Sequence, residues 1–300
     1  MISIQKSFYW LFALGLFCHG VAQAQMLGPY GTSPITVEVD ANGLLSDTGT
    51  YGTGSLSLSG AGTRMIWYPG KAAFRAGYVS GTDWDDANIG VYSAAFGQDT
   101  VASSWYAFAS GYQSTASGGY STAMGANSLA SGQSATAMGH GATASGYYST
   151  ALGLNVTASG WYGTALGAGT TATGATSTAL GDGTTAYGTC STAMGYGTLA
   201  EGSTSTALGQ STTAYGEYTT AMGNSTEAFS YESVVMGQFN VGGGSYTIGW
   251  LATDPIFEIG NGTSSSALSD ALVVYKNGSA TFQGPVSVAA GGDIPMFTGY

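Results

Sequence analysis

A glycine recurs every fourteen residues through the middle of this chain. Eleven consecutive positions at this spacing carry it, although glycine makes up only 50 of the 300 residues, so chance cannot produce the spacing. The residues in this phase are Gly97, Gly111, Gly125, Gly139, Gly153, Gly167, Gly181, Gly195, Gly209, Gly223 and Gly237. A second phase, seven residues away, runs from Gly118 to Gly216. The chain therefore repeats a fourteen-residue unit made of two similar halves.

The stronger half of the unit follows the phrase Ser-Thr-Ala-Met/Leu-Gly, as in residues 121–125 and 177–181. A helix is disfavoured because two glycines and several β-branched threonines in every unit oppose it. Short strands, each closed by a glycine turn, fit the pattern better. The repeat predicts an all-β fold, a flattened parallel β-solenoid with two strands and two turns in each coil. It also predicts that the eleven phased glycines form the turns.

Alternation along a strand places alanine on one side, and threonine with methionine or leucine on the other. A coil of two strands is too thin to enclose large side chains, so we expect alanine inside and the larger apolar residue outside. The outward residues form a ladder of Met124, Met138, Leu152, Leu166, Leu180, Met194, Leu208, Met222 and Met236. Monomers rarely expose so long an apolar stripe, so the ladder predicts the contact surface of a homo-oligomer. The alternative is that the ladder is the core of a wider helix.

The phrases YSTAMG, YSTALG and TSTALG, within about residues 91–240, resemble the head repeats of trimeric autotransporter adhesins. This YadA-like family, whose repeats are also called Hep_Hag repeats, has the same period and an Asn-Ser-x-Ala-Ile/Leu/Met-Gly core. The resemblance implies a left-handed parallel β-roll, a homotrimer packed around an axis, and an adhesive head held away from a bacterial surface. The periodicity itself supports only a symmetric closure of the apolar stripe.

Four segments are expected along the chain. Residues 1–24 have the apolar run and small terminal residues of a signal peptide, which predicts export to the outer cell surface or into the medium. Residues 25–90 are expected to cap the first coil, because an open solenoid edge would pair with other chains. Residues 91–240 form the head repeats, and residues 241–300 form a β-rich neck or stalk.

The two flanking segments carry further local signals. In the cap, Trp67, Tyr68 and Phe74 are expected to plug the end of the coil. In the C-terminal segment, Asn277-Gly278 between two apolar runs predicts a β-hairpin. Sustained heptads and amphipathic membrane strands are not found, so we expect no transmembrane anchor of the chain's own.

Charge is sparse and acidic. The chain has 5 Lys and Arg against 16 Asp and Glu, a net charge of -11, and no Lys or Arg occurs between Arg75 and Lys276. Binding to a phosphate backbone needs cationic residues, so we expect no nucleic-acid partner. Low charge often accompanies disorder, but 44% of the residues are hydrophobic and 12% are aromatic, which favours an ordered chain.

Few residues suggest a metal site or a catalytic site. Asp83, Asp85 and Asp86 could hold a hard cation, but a solvated turn or pairing with the nearby cations is expected instead. His140 has no fixed acid or nucleophile beside it in the repeat, which opposes a role as a general base. Cys190, the single cysteine after the predicted leader, is expected to be a tolerated thiol. We predict no enzymatic activity, no cofactor and no metal.

The aromatic residues flank the expected turns, out of phase with the alanines. This position predicts partial exposure along the rod, where tyrosine and tryptophan favour recognition, or stabilising ladders between coils. The candidate ligand surface comprises Tyr120, Tyr148, Trp161, Tyr162 and Tyr218. The predicted function is that of an exported bacterial surface adhesin or structural rod, binding cells, matrix proteins or glycans by multivalent contact. The alternatives are a threonine-rich ice-binding solenoid and a rod that resembles a phage tail fibre and binds a receptor.

Overall fold

The chain divides into two compact units, residues 1–53 and 54–300. The computed structural model describes residues 49–245 and 248–285 and, as backbone, 23–26, 35–39 and 45–47. In the first unit three strands form an antiparallel sheet in the order β1-β2-β3, with β1 at Gln23–Met26, β2 at Ile35–Val39 and β3 at Leu45–Asp47. The predicted signal peptide, residues 1–24, lies outside the described residues except for its last two.

The second unit consists of short strands that follow one another along successive coils. Two single-turn 3-10 helices, Pro69–Lys71 and Asp86–Asn88, lie near its N-terminal end. In chain order the strands are β4 Gly62–Tyr68, β5 Ala73–Val79, β6 Ala94–Gln98, β7 Val101–Ala102, β8 Phe108–Tyr112, β9 Thr115–Ala116, β10 Thr122–Ala126, β11 Leu129–Ala130, β12 Thr136–His140, β13 Thr143–Ala144, β14 Thr150–Leu154, β15 Thr157–Ala158, β16 Thr164–Ala168, β17 Thr171–Ala172, β18 Thr178–Asp182, β19 Thr185–Ala186, β20 Thr192–Tyr196, β21 Leu199–Ala200, β22 Thr206–Gln210, β23 Thr213–Ala214, β24 Thr220–Asn224, β25 Glu227–Ala228, β26 Val234–Gln238, β27 Pro255–Asn261, β28 Asp270–Tyr275 and β29 Ala280–Phe282.

Each coil contributes one five-residue strand and one two-residue strand. The longer strands join a sixteen-stranded sheet and the shorter strands a ten-stranded sheet. Successive coils pair in parallel at a step of fourteen residues, so that Thr122 lies opposite Thr136 and Ala123 opposite Ala137. The predicted all-β parallel solenoid of fourteen-residue coils is confirmed.

The interior of the coil is made of small side chains, as the alternation of the repeat predicts. Two columns of fully buried residues run along it, one from each sheet. The column of the long strands is Ala95, Ala109, Ala123, Ala137, Ala151, Ala165, Ala179, Ala193, Ala207, Ala221 and Val235. The column of the short strands is Ala102, Ala116, Ala130, Ala144, Ala158, Ala172, Ala186, Ala200, Ala214 and Ala228. The large apolar residues therefore lie outside the coil, and the alternative of a wider apolar core is wrong.

The eleven phased glycines lie inside strands rather than in turns. Each is the fourth residue of a long strand, as Gly125 is in β10, and their φ angles run from +103° to +135°. A Cβ at Gly125 would stand 2.0 Å from the carbonyl oxygen of Gly139 in the next coil, with similar collisions in every other coil. The glycines are thus required by close backbone stacking. The chain turns over the following residues, of which Asn127 adopts the left-handed conformation.

Polar side chains close the N-terminal end of the solenoid. Strand β5 continues the long sheet, and Arg75 takes the place of an interior alanine, opposite Ala95. The fully buried Arg75 donates from Nη2 to the carbonyl oxygen of Ala102 at 2.8 Å, and buried Trp84 donates from Nε1 to that of Thr100 at 2.7 Å. In the other coils, N–H groups of the preceding coil bond to these carbonyls. The Trp84 indole therefore takes the place of a missing backbone donor at Thr100. Arg75 adds a donor at Ala102, whose carbonyl also accepts from the N–H of Gly90 at 2.9 Å.

The expected plug residues contribute less to this closure. Trp67 is 43% exposed, Phe74 is partly buried, and only Tyr68 is buried. Tyr68 packs in a small cluster with Ile66, Val79 and Trp84, next to the coil interior. Alternation along β4 explains the difference, since Trp67 and Tyr68 point to opposite faces of the hairpin.

The C-terminal end is closed by a second set of polar groups. The Asn240 side chain accepts from the backbone N–H of Glu227 at 2.8 Å and donates to its carbonyl at 2.9 Å, in place of a further short strand. In the long sheet, Glu258 of β27 takes the interior position opposite Val235. Strands β27, β28 and β29 then run antiparallel, and the predicted hairpin at Asn277-Gly278 joins the last two.

Candidate functional site: an apolar face and an aromatic edge

The outer face of the long sheet carries two parallel columns of side chains. Threonine, the first residue of most long strands, forms one column, and the methionine and leucine ladder forms the other, two residues further on. The ladder residues are partly exposed, with Met124 at 37% and Met194 and Leu208 at 36%. A long strand supplies at most one threonine to this face, so the described strands lack the array of threonines two residues apart that the ice-binding alternative requires.

The edge between each short strand and the following long strand is rich in aromatic residues. The last residue of this turn has a positive φ in every coil. In six coils that residue is tyrosine, with φ between +55° and +60°: Tyr92, Tyr106, Tyr120, Tyr148, Tyr162 and Tyr218. The neighbouring position adds Trp105, Tyr147, Trp161 and Tyr231. We call this side of the rod the aromatic edge.

The opposite edge has the residues that a left-handed turn ordinarily selects. There the positive-φ position holds mainly glycine, asparagine or serine, as at Asn127, Gly141 and Gly169. Bulky side chains adopt this conformation at a cost, and strained residues cluster at functional sites. The tyrosines of the aromatic edge are therefore not explained by backbone preference.

Stacking between coils offsets part of this cost. The rings of Tyr92, Tyr106 and Tyr120 stack in sequence, with centroids 4.9 and 4.8 Å apart. Tyr148 and Tyr162 stack at 5.4 Å. Aromatic pairs of this kind contribute about 0.5–1.5 kcal/mol each. The ladder interpretation of the aromatic residues is thus correct for these pairs.

Much of the aromatic surface still faces solvent. Trp161 is 66% exposed, Tyr120 56%, Tyr162 55%, Tyr218 51% and Tyr148 47%. All five predicted ligand-surface residues therefore share one edge of the rod and are accessible in the single chain. Trp105, at 65% exposed, belongs to the same edge and was not among the predicted residues. Its position four steps of fourteen residues before Trp161 could have identified it.

The other singled-out residues do not form a site. The Asp86 carboxylate pairs with the Lys71 ammonium at 3.1 Å and accepts from the Tyr68 hydroxyl at 2.7 Å, which lowers the pKa of Asp86. His140 is exposed at the end of β12, and Cys190 is exposed on the aromatic edge. Within the described ranges no group of three or more His, Cys, Asp or Glu side chains could hold a metal ion.

These features define a class of protein, a charge-poor parallel β-solenoid of fourteen-residue repeats with an apolar face and an aromatic edge. The particular repeat is that of the YadA head domain, whose family model matches residues 106–128, 130–155, 158–184, 172–198, 186–212 and 200–226. The matched repeats lie within residues 106–226, which confirms the resemblance to YadA-like head repeats for that part of the inferred segment 91–240. A comparison with curated proteins gives no match.

One further observation concerns membranes. None of the helices among the described residues is long and apolar enough to cross a bilayer.

Proposed function

We propose that this chain is an exported bacterial surface adhesin or structural rod that assembles as a homotrimer and binds cells, matrix proteins or glycans. The observation that carries the proposal is the in-register YadA head repeat, because that family suggests a trimeric autotransporter adhesin and implies an exported, cell-surface protein. The repeats and the solenoid fold are also typical of structural, non-enzymatic proteins.

The apolar face supports the trimer. Nine methionines and leucines stand in one continuous outward column, and their partial exposure in the single chain leaves an apolar stripe along the rod. Packing identical stripes around a symmetry axis would remove this surface from water and close the assembly. The two-residue strands of the opposite sheet carry mainly threonine on their outer face, which needs no such burial.

Charging the ladder is expected to separate the chains. In the variant Leu166→Glu/Leu180→Glu, two carboxylates would be buried at the contact, and the cost of burying them exceeds the apolar gain. Light scattering during size-exclusion chromatography should give the mass of three chains for the unmodified protein and of one chain for the variant.

A matched control uses the same two coils on the opposite sheet. Thr171→Glu/Thr185→Glu adds the same charges to the short strands, where Glu227 already occupies the equivalent position in β25. This control should remain trimeric. A mass of one chain for the unmodified protein would contradict the proposed assembly.

The aromatic edge supports the binding role. The tyrosine column is interrupted at Ser134, so Tyr120 and Tyr148 stand two coils apart, roughly 9.6 Å by the spacing of neighbouring strands. This gap has room for one further flat ring between the two tyrosines, at the separation seen in the stacked pairs. Asp182 is the only charged residue between Thr100 and Ala200, which favours uncharged ligand groups such as sugar rings.

Removing two rings from the edge is expected to weaken adhesion without unfolding the rod. Tyr148→Asn/Tyr162→Asn takes away one stacked pair but leaves asparagine, which tolerates the left-handed conformation. Binding to arrays of glycans, matrix proteins and cells should fall by at least about tenfold, because aromatic side chains dominate such contacts.

The control for this experiment is Tyr196→Asn. Tyr196 is 59% exposed and lies on the opposite edge, at the end of β20. Binding should be unchanged in this variant, and circular dichroism should report the same β-structure in all three proteins. Uniform failure of the unmodified trimer to bind at high surface density would rule out adhesion.

A further inference from the structure

Buried carboxylates are concentrated at one place in the molecule. Asp254, Glu258 and Asp270 are 3%, 1% and 5% exposed, and they are the buried carboxylates of the residues that the structure describes. All three lie at the C-terminal end of the solenoid, in or beside β27 and β28. A buried charge is costly unless it is paired or hydrogen-bonded, so each of them needs a partner.

Two of the carboxylates have backbone partners, whereas the third is only half satisfied. Asp254 accepts from the N–H of Ser245 at 3.2 Å, and Asp270 accepts from the N–H of Val241 at 3.1 Å. Oε2 of Glu258 accepts from the Asn240 amide at 3.0 Å, but its Oε1 atom has no hydrogen-bond partner.

Glu258 is one of the residues that line a cavity. The cavity has a volume of about 250 Å³ and is lined by the loop 241–244, Glu258 and Asp270, among others. A Cβ placed on Gly243 would stand 3.9 Å from Oε1 of Glu258, so the bare backbone of the loop lies close to this oxygen. Val241 and Thr253 also line the cavity and are exposed, which gives solvent access.

Both carboxylates that line the cavity have a raised pKa, and Asp270 contributes to the shift of Glu258. Burial raises the pKa of Glu258 to about 7, in spite of the Asn240 hydrogen bond that lowers it, and the charge of Asp270 raises it further. Burial also raises the pKa of Asp270.

We propose that this cavity is a binding site for a hard divalent cation, held by Oε1 of Glu258 and the carboxylate of Asp270. Calcium accepts carboxylate oxygens, backbone carbonyls and waters in flexible numbers. Two protein carboxylates leave several positions for water, and the cavity has room for it, since one water takes roughly 30 Å³. The site lies where the solenoid ends and β27–β29 begin, so a bound cation would stabilise that junction.

Terbium is the probe for the first test, because it substitutes for calcium and is excited by nearby aromatic rings. Tyr275 lines the cavity and supplies such a ring. The full chain, stripped with EDTA and dialysed, should show saturable terbium luminescence with one ion per chain, and calcium chloride should displace it. Absence of sensitised emission, or failure of calcium to compete, would overturn the proposal.

Variants locate the site. Glu258→Gln keeps the shape of the side chain and its Asn240 contact, and Asp270→Asn keeps the acceptor for Val241, but each should weaken calcium binding by at least about tenfold through loss of a ligand charge. Glu232→Gln, an exposed residue of the preceding coil, is the control and should bind as the unmodified chain does.

A further variant covers the case in which the two cavity variants do not fold. Tyr275→Phe leaves both carboxylates in place, and it should reduce the terbium emission while the calcium concentration for displacement stays the same. Emission that is unaffected by this change would place the ion elsewhere and overturn the proposal.

Discussion

Gly167→Ala is expected to be among the most destabilising single substitutions in the repeat. The φ angle of Gly167 is +125°, and a Cβ there would stand 1.8 Å from the carbonyl oxygen of Gly181 in the next coil. Neither backbone can yield alone, because each is bonded into the same ladder. We expect a loss on the order of 3–5 kcal/mol in the free energy of unfolding, the range of severe packing defects. Urea denaturation followed by circular dichroism measures it.

The control is a glycine in the same coil that is only a turn residue. Gly169 has φ of +58°, and a Cβ there would have no atom of another residue nearer than 4.0 Å. Gly169→Ala should cost about 1 kcal/mol, the penalty for a left-handed alanine. Equal losses at the two positions would show that conformation, rather than contact between coils, selects the glycines of the long strands.

Arg75→Met is expected to destabilise the N-terminal end of the solenoid. The guanidinium donates to the carbonyl oxygens of Phe74, Ser93 and Ala102 and to the Ser93 hydroxyl. Burial lowers the pKa of Arg75 to about 10, so the group remains charged at neutral pH and its hydrogen bonds are charge-assisted. Methionine fills similar space but removes these charge-assisted hydrogen bonds, and the carbonyls of Ser93 and Ala102 keep only their backbone donors, Phe74 and Gly90, at a cost of roughly 3 kcal/mol.

Arg64→Met tests whether the loss at Arg75 depends on burial. The Arg64 guanidinium is on the same hairpin and also donates to backbone carbonyls, but those contacts are exposed or partly buried. We expect a loss below about 1 kcal/mol there. Hydrogen exchange should show faster opening of β6 and β7 in Arg75→Met alone. Unchanged exchange in that variant would mean that the remaining cap closes the end without Arg75.

The repeated part of the fold could be predicted because the period of the sequence sets the register between coils. A step of fourteen residues brings Ala123 onto Ala137 and Gly125 onto Gly139, and alternation then decides which side chains face inward. The methionine and leucine ladder follows from the same step. These features need no knowledge of distant contacts, since every coil touches only its neighbours.

The location of the phased glycines was not predictable from residue type. Turns and close backbone approaches both select glycine, and Gly125 satisfies the second requirement while Gly169 satisfies the first. Only the contact between stacked coils distinguishes the two requirements. The left-handed tyrosines were missed for a related reason, although Tyr92, Tyr106 and Tyr120 already stand fourteen residues apart in the sequence.

The residues that close the two ends of the rod could not be predicted from the sequence, because they do not follow the fourteen-residue period. Arg75 stacks on Ala95 and Glu258 on Val235, at steps of twenty and twenty-three residues. A search at fourteen residues cannot align either of them with the alanine column. Their chemistry also misleads, since a lone arginine or glutamate in a polar context is ordinarily a surface residue.

Because the coils are nearly identical, the number of repeats in such a chain can change. If one unit of fourteen residues is looped out or duplicated, the stacks of alanine and glycine reform almost unchanged. Arg75 and Asn240 have no counterpart inside the repeat, so the energetic penalty for misalignment arises at the ends. The number of coils therefore has little effect on the stability of the solenoid, whose length changes by about 4.8 Å for each unit. A lineage could lengthen or shorten the reach of this head by recombination between its own repeats, without redesigning either end.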